Sequence, residues 1–153
     1  MPIPQVLAAL AGHWIGDNSL WLNPDAAPRR SRATADISVE AEGQSLLVRY
    51  AWEDRDVPQS GVLFVVSDAR SNALAGAFTD SWHYAHQLME CRGSCAAEEA
   101  SVHGTYAAPP GPDWGWRVSI AATAMDECAL RMFNRSPDGT ESVAVEMRFA
   151  RAE

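Results

Sequence analysis

The feature that most constrains the fold of this chain is a regular alternation of apolar and polar residues in short runs. Every second residue from Val143 to Phe149 is apolar, and the residues between them are small or charged. Successive side chains of an extended strand point to opposite faces, so this run places its apolar side chains on one face. Residues 34–40, 45–53 and 114–120 alternate in a similar way. The pattern predicts strands that each have one buried face.

A different run, from Gly61 to Val66, is continuously apolar, which is typical of a strand covered on both faces. Turn-forming residues separate the runs at short intervals. These turn signals lie at residues 23–25, 42–43, 56–58, 68–72, 92–94, 109–112 and 136–139. The runs between them give about ten candidate strands. The candidate strands begin near Trp14, Ser31, Ser45, Gly61, Ala73, Gln87, Ala100, Trp114, Cys128 and Ser142.

Helical periodicity is confined to the N-terminal residues 4–10. There Val6, Leu7 and Leu10 would share one face of a short helix, and Gly12 would end it. Many short strands without intervening helices predict an antiparallel meander, and closure of such a sheet removes its exposed edges. We therefore predict an all-β fold, a single antiparallel up-and-down β-barrel of about ten strands with a short N-terminal helix. A β-sandwich is the alternative, and in either case residues 1–153 form one domain.

The charge of the chain disfavours two classes of partner. Twelve basic and twenty acidic residues give a formal net charge of −8 at pH 7, which disfavours nucleic acid and anionic membrane surfaces as partners. Every basic residue other than histidine is an arginine, so mechanisms that need a lysine, such as Schiff-base chemistry, are excluded. The three cysteines and the lack of a signal-like or membrane-length apolar run indicate a soluble cytoplasmic protein with reduced thiols.

Two groups of residues resemble known families. The segment Gly12-His13-Trp14-Ile15-Gly16 resembles the G-x-W signature of calycins, the class that includes lipocalins and fatty-acid-binding proteins, in which a first-strand tryptophan closes one end of the barrel. Its longer form, G-x-W-x-G, is similar to the start of nitrobindin-like haem barrels. The second group resembles an uncharacterised bacterial family with a calycin-like barrel, classed among domains of unknown function, and this resemblance implies a closed antiparallel barrel. It consists of residues 80–83, 89, 91–94, 104–106, 111–117, 132–134, 137–139 and 141–146.

The candidate metal and haem ligands do not form a recognisable set. In a strand, His83 and His86 would point to opposite faces, and Cys91 and Cys95 are followed by no second ligand pair at zinc-finger spacing. In the nitrobindin-like family the axial histidine lies near the C-terminus, whereas the last histidine here is His103. The resemblance therefore carries over no haem ligand, and we expect neither a metal nor a cofactor.

Aromatic side chains on the predicted inward faces favour ligand binding. Ligand pockets are mainly apolar and aromatic, with a few polar groups, so we predict that the barrel binds a small hydrophobic or amphipathic molecule and is not an enzyme. The alternative is that the same side chains only fill the core. Arg117 and Arg131 lie on the opposite faces of their strands and are expected on the outer wall. The predicted ligand-binding residues are Tyr50, Trp52, Asp80, Trp82, His83, Tyr106, Trp116, Met132 and Asn134.

Two other functions remain open. The first is an enzyme that uses Asp80 and His83 as an acid–base pair in a cleft. Residues three apart in a strand point in opposite directions, so this pair would need a bulge. The second is a structural or interaction module, such as a homodimer, which predicts an exposed apolar patch of roughly several hundred Å² on the outer wall.

Overall fold

Over the residues that the computed structural model describes, 2–68 and 70–153, ten antiparallel strands close into a barrel. Each strand pairs with its neighbours in sequence, and the last strand pairs back onto the first. The predicted all-β up-and-down barrel with one short N-terminal helix is therefore confirmed. The elements are α1 (Gln5–Ala8), β1 (Gly12–Leu20), β2 (Arg29–Glu40), β3 (Ser45–Asp54), β4 (Val57–Ser67), β5 (Ala73–Asp80), β6 (Met89–Ala96), β7 (Glu99–Tyr106), β8 (Trp114–Ala124), β9 (Glu127–Arg135) and β10 (Glu141–Arg151).

The strands begin close to where the alternation predicts them. β3, β5 and β8 begin at the predicted residues Ser45, Ala73 and Trp114. The pairing of β1 with β10 excludes the sandwich alternative, since a sandwich keeps two separate sheets with free edges. One predicted turn, 68–72, includes Ala69, which lies outside the described residues.

The run from Gly61 to Val66 is covered on one face only, contrary to the sequence prediction. Within β4, Leu63 and Val65 are buried, whereas Phe64 and Val66 keep 37% and 40% of their surface exposed. A barrel of antiparallel strands has a single core, so the second face of each strand points to solvent. The apolar residues of β4 therefore include a partly exposed pair on the outer wall.

A β-bulge in β10 changes which residues of the last strand face the core. Val143 pairs with Phe133, whereas Val145 pairs with Met132, and the register shifts between the two pairs. The prediction that Val143 shares the inward face with Val145 is therefore wrong, because the extra residue of a bulge interrupts the alternation. Ala144 is buried in its place.

The N-terminal segment and Trp14 close one end of the barrel, which we call the closed end. The indole Nε1 of Trp14 donates a 2.9 Å hydrogen bond to the carbonyl oxygen of Leu10. The Arg151 guanidinium carbon lies 4.3 Å from the centre of the Trp14 ring, a cation–π arrangement. Arg151 also donates to the carbonyl oxygens of Ala9 and Ala11. The closed end is thus held by packing and by hydrogen bonds that satisfy its polar groups.

Buried side chains from every strand form one hydrophobic cluster between the two ends of the barrel. In β3, Leu46, Val48, Tyr50 and Trp52 are all buried, as the alternation predicts. This cluster packs the middle of the barrel, so the space for a ligand has to be sought at the end opposite α1.

Candidate ligand pocket at the barrel mouth

The end of the barrel opposite α1, which we call the mouth, contains a pocket of about 210 Å³ with a largely aromatic wall. Trp82, His83, Tyr106, Trp116 and Asn134 line this mouth pocket, and all five are residues that the sequence singled out. Sequence reasoning missed the other lining residues, which are Leu20, Trp21, Leu22, Tyr84 and Ala144.

A larger depression, of about 460 Å³, lies on the outer wall across β1, β9 and β10. Arg131 and Arg148 border it, and their Nε atoms lie 2.8 and 2.9 Å from carboxylate oxygens of Glu146. The two arginines at this depression are therefore already paired with Glu146. The mouth pocket is the better candidate, because its aromatic wall and convergent polar groups are what small-molecule sites require.

The strand order brings the lining residues of the mouth pocket together. In an up-and-down barrel the odd-numbered strands end where the even-numbered strands begin, so residues far apart in sequence meet at one rim. Leu20 and Tyr106 end β1 and β7, Trp116 lies near the start of β8, and Asn134 lies near the end of β9. Residues 82–84 lie in the turn that follows β5.

Asp80, the last residue of β5, organises that turn. One carboxylate oxygen accepts hydrogen bonds from the backbone N–H groups of Trp82 (3.1 Å) and Tyr84 (2.7 Å). The other oxygen lies 3.1 Å from Nδ1 of His83 and accepts a 3.3 Å hydrogen bond from the Tyr50 hydroxyl. Because the strand ends at Asp80, a turn rather than a bulge brings the carboxylate and the imidazole together.

The surroundings of Asp80 determine its charge and the proton position on His83. Burial raises the pKa of Asp80, but the hydrogen bond to His83, the charge of His83 and the backbone N–H groups outweigh burial and hold the pKa below its usual value. Burial, the charge of Asp80 and the hydrogen bond to Asp80 raise the pKa of Tyr50 well above its usual value. At neutral pH, Asp80 is therefore a carboxylate and Tyr50 a neutral donor. In a neutral imidazole whose Nδ1 proton faces this carboxylate, Nε2 keeps a lone pair and is an acceptor.

Gly61 makes the contact between Tyr50 and Asp80 possible. In the barrel Gly61 lies between the two, paired with Tyr50 on one side and with Asp80 on the other. A Cβ atom at position 61 would lie 2.1 Å from the Tyr50 hydroxyl oxygen and 2.7 Å from Cβ of Asp80. The missing side chain lets the phenol ring reach across β4, a role that no local sequence signal indicates.

Trp116 and His83 form the inner wall of the mouth pocket. Their ring centroids lie 4.7 Å apart with planes tilted by 36°. Trp116 is only 4% exposed, and its Nε1 is a buried donor without a hydrogen-bond partner among the described residues. By contrast, the Tyr106 hydroxyl donates to Oδ1 of Asn134 (2.6 Å), and the Tyr84 hydroxyl donates to a backbone carbonyl oxygen (2.7 Å). Among the described residues that line the pocket, Nε1 of Trp116 is thus the fully buried side-chain polar atom that lacks a hydrogen-bond partner.

The remaining predicted ligand contacts do not line the mouth pocket. Met132 is 1% exposed within the core. Trp52 packs edge-on against Trp82, with ring centroids 5.8 Å apart. Tyr50 and Asp80 form the support beneath the 82–84 turn. Alternation placed these side chains on the correct face, but depth along the barrel depends on strand tilt and length.

Arg117 and Arg131 lie on the outer wall, as the alternation predicts. The Arg117 guanidinium lies 2.6 Å from a Glu141 carboxylate oxygen and 3.9 Å from the centre of the Phe133 ring. The exposed apolar residues of this wall include Phe64 and Val66. Dimerisation through such residues stays a prediction.

Neither a metal cluster nor a membrane helix is present in residues 2–68 and 70–153. No group of three His, Cys, Asp or Glu side chains comes together there in a way that could hold a metal ion. No helix in the same residues is long and apolar enough to cross a membrane.

Fold and site together define a ten-stranded up-and-down barrel with a small aromatic pocket at its open end. Residues 3–151 match the family described as protein of unknown function (DUF1579), and the chain belongs to this family. The predicted membership of a family of unknown function with a β-barrel is therefore confirmed. Among curated proteins, none matches this chain.

A solved structure supports the fold. Rv2717c from M. tuberculosis superposes with a TM-score of 0.64 at 12% identity, over 100% of this chain and 99% of that one. At this identity the likeness establishes the fold alone. A candidate thioesterase II from Thermobifida fusca YX aligns with 95% of this chain and 81% of its own, at 8% identity and a TM-score of 0.25. That value is too low to support any common architecture.

Proposed function

We propose that this protein binds a small, mainly aromatic molecule in the mouth pocket. The observation that carries the proposal is the unpartnered Nε1 of Trp116 in a wall made of aromatic rings. A buried donor without a partner costs about 1–3 kcal/mol, and a ligand acceptor would recover that cost. The aromatic side chains supply the apolar contacts that ligand pockets typically provide.

The size of the pocket narrows the ligand. Drug-sized ligands occupy pockets of about 300–1,000 Å³, whereas the mouth pocket has about 210 Å³. One aromatic ring with a small substituent fits this volume, and a long acyl chain does not. Of the small hydrophobic or amphipathic ligands that the sequence suggested, we therefore propose single-ring compounds.

A binding role fits the lining better than an enzymatic one. The Asp80–His83 pair resembles the base and orienting group of hydrolases. However, the residues that line the mouth pocket include no serine, threonine, cysteine or lysine that could act as a nucleophile beside His83. We therefore assign His83 to recognition of the ligand.

Two further expectations are kept as proposals. A calycin-like relationship is supported by Trp14 of the G-x-W segment, which lies at the closed end beneath Arg151. A cytoplasmic location is supported by Cys91, Cys95 and Cys128, which are buried free thiols.

The indole N–H signals of the protein provide a direct test of ligand binding. The six tryptophans give separate signals in a ¹H–¹⁵N correlation spectrum, assignable with single Trp→Phe variants. Titration with toluene should shift the signals of Trp82 and Trp116 and leave that of Trp14 unchanged, whereas lauric acid should shift none. If millimolar toluene and other single-ring compounds leave the signals of the mouth tryptophans unchanged, the proposal is wrong.

A matched pair of variants locates the binding site. Ala144→Leu places a larger side chain in the mouth pocket and should abolish the toluene-induced shifts. Ala150→Leu makes the same change at an exposed position of the same strand and should leave them intact. Thermal unfolding of both variants checks that the fold is retained. Equal binding by both would place the ligand elsewhere.

A further inference from the structure

The mouth pocket presents a complementary pair of polar groups on neighbouring rings. Nε1 of Trp116 is a donor without a partner among the described residues. On the adjacent ring of His83, Nδ1 is engaged with the Asp80 carboxylate at 3.1 Å. Nε2 of His83 has no hydrogen bond to any described residue, and it is not among the fully buried polar atoms that lack one. With the proton on Nδ1, Nε2 is an acceptor.

We propose that the ligand is a phenol, a single aromatic ring with a hydroxyl group whose oxygen accepts from Nε1 of Trp116 and whose proton is donated to Nε2 of His83. This inference rests on the proposed function and specifies its ligand class. The two rings are neighbours, with centroids 4.7 Å apart, and the proposal requires that one oxygen atom reach both nitrogens.

A hydroxyl group is the simplest substituent that satisfies both nitrogens. An ether or ketone oxygen accepts from Trp116 but offers no proton to His83. A carboxylate has the same defect, and it brings a second negative charge close to Asp80 in a protein whose net charge is already −8. An unsubstituted ring leaves the Trp116 donor unpaired. Donor and acceptor counts therefore select a phenol over the other single-ring ligands.

Entry of the hydroxyl requires a small movement of His83. Nε1 of Trp116 has almost no accessible surface, and the His83 ring lies against the indole. His83 lies in the turn after β5, its side chain keeps 16% of its surface exposed, and a single hydrogen bond through Nδ1 holds its ring. A tilt of the imidazole about that hydrogen bond opens the indole N–H to the ligand while Asp80 keeps its contact.

Three ligands of nearly equal size test the inference by isothermal titration calorimetry at pH 8. Phenol can make both hydrogen bonds, anisole only the one from Trp116, and toluene neither. Each hydrogen bond is expected to contribute about tenfold in affinity, so the order should be phenol, anisole, toluene. Equal binding of all three overturns the phenol assignment but leaves the proposed function intact. Absence of binding by all three removes the proposed function as well.

Variants separate the two hydrogen bonds. His83→Phe keeps a ring but removes Nε2, so phenol affinity should fall about tenfold to that of anisole, and anisole affinity should not change. Trp116→Phe removes the donor, so anisole should fall to the affinity of toluene, and phenol should fall about tenfold but stay above both. Trp82→Phe, a lining residue with no proposed hydrogen bond, is the matched control and should affect all three ligands equally. A loss in His83→Phe that is the same for phenol and anisole contradicts the assignment.

A measurement on the wild-type chain makes the test independent of variant stability. The Trp116 indole proton should move downfield when phenol or anisole binds, because it enters a hydrogen bond, and should not do so with toluene. Benzoate serves as the anionic comparison. If benzoate binds more tightly than phenol, the pocket recognises an anion and the proposal is wrong.

Discussion

The two ends of the barrel each contain a buried tryptophan, and the two side chains differ in whether their indole N–H groups are hydrogen-bonded. At the closed end, Trp14 is 1% exposed, and its Nε1 donates to Leu10 while the Arg151 guanidinium covers the ring. At the mouth, Trp116 is 4% exposed and its Nε1 has no partner among the described residues. The two tryptophans are therefore almost equally buried, but only the indole N–H of Trp14 has a hydrogen-bond partner in the described part of the chain.

This difference agrees with the proposed binding role of the mouth. A satisfied, stacked indole contributes to stability, whereas an unsatisfied one lowers stability until something binds to it. At the closed end, contacts within the chain already satisfy the indole N–H of Trp14 and cover its ring. Over the described residues, the mouth has a pocket, an unpaired indole donor and an imidazole with only one nitrogen hydrogen-bonded. Such an arrangement is expected where residues are selected for binding rather than for stability.

The largest expected effect separates the two tryptophans by stability. Trp14→Phe should lower the free energy of unfolding by about 3 kcal/mol, because it removes a hydrogen bond, a cation–π contact and core volume. Trp116→Phe should cost less than about 1 kcal/mol, since loss of the unpaired donor offsets part of the lost packing. Urea unfolding of both variants measures the difference. Equal losses would mean that the unpaired N–H at the mouth carries no energetic cost.

An intermediate effect is expected at Asp80, which supports the mouth from below. Asp80→Asn should cost about 2 kcal/mol at pH 7, because a buried carboxylate that accepts several hydrogen bonds is replaced by an amide. The pKa of Asp80 is lower in the folded than in the unfolded chain, so its contribution is complete above about pH 4–5 and is lost as the pH falls through the folded-state pKa. The difference between wild type and variant should therefore shrink on acidification. A difference that stays constant from pH 7 to pH 2 would contradict this account.

The smallest effect is expected on the outer wall, away from both ends. The hydrogen bond from Arg117, then that from Arg135, holds the pKa of Glu141 below its usual value against the effect of burial. The side chains of Arg117 and Glu141 remain 21% and 25% exposed, however. Glu141→Gln should cost about 0.5–1 kcal/mol, and less at high salt. Urea unfolding at low and high salt measures this loss, and a loss as large as that of Asp80→Asn would mean that the mouth holds no special buried network.

Much of the fold follows from alternation and turns. The inward face of β3 and the outward position of Arg117 both follow from the period of two, because each strand has one buried face. The mouth pocket was predicted in part, since Trp82, Trp116 and Tyr106 are aromatic residues on inward faces or at strand ends. Alternation does not distinguish inward residues that line the pocket from inward residues that pack the core, and Met132 and Trp52 are of the second kind.

The sequence by itself determined most of the strands and their inward faces, because these depend on a local period, and it favoured closure of the barrel because open edges are costly. Only the tertiary structure decided the site. The bulge that buries Ala144, the reach of Tyr50 across Gly61 to Asp80, and the turn that brings His83 onto Trp116 all depend on contacts between distant segments. Such contacts are set by strand register and side-chain packing around the closed barrel, which no local pattern of residues encodes.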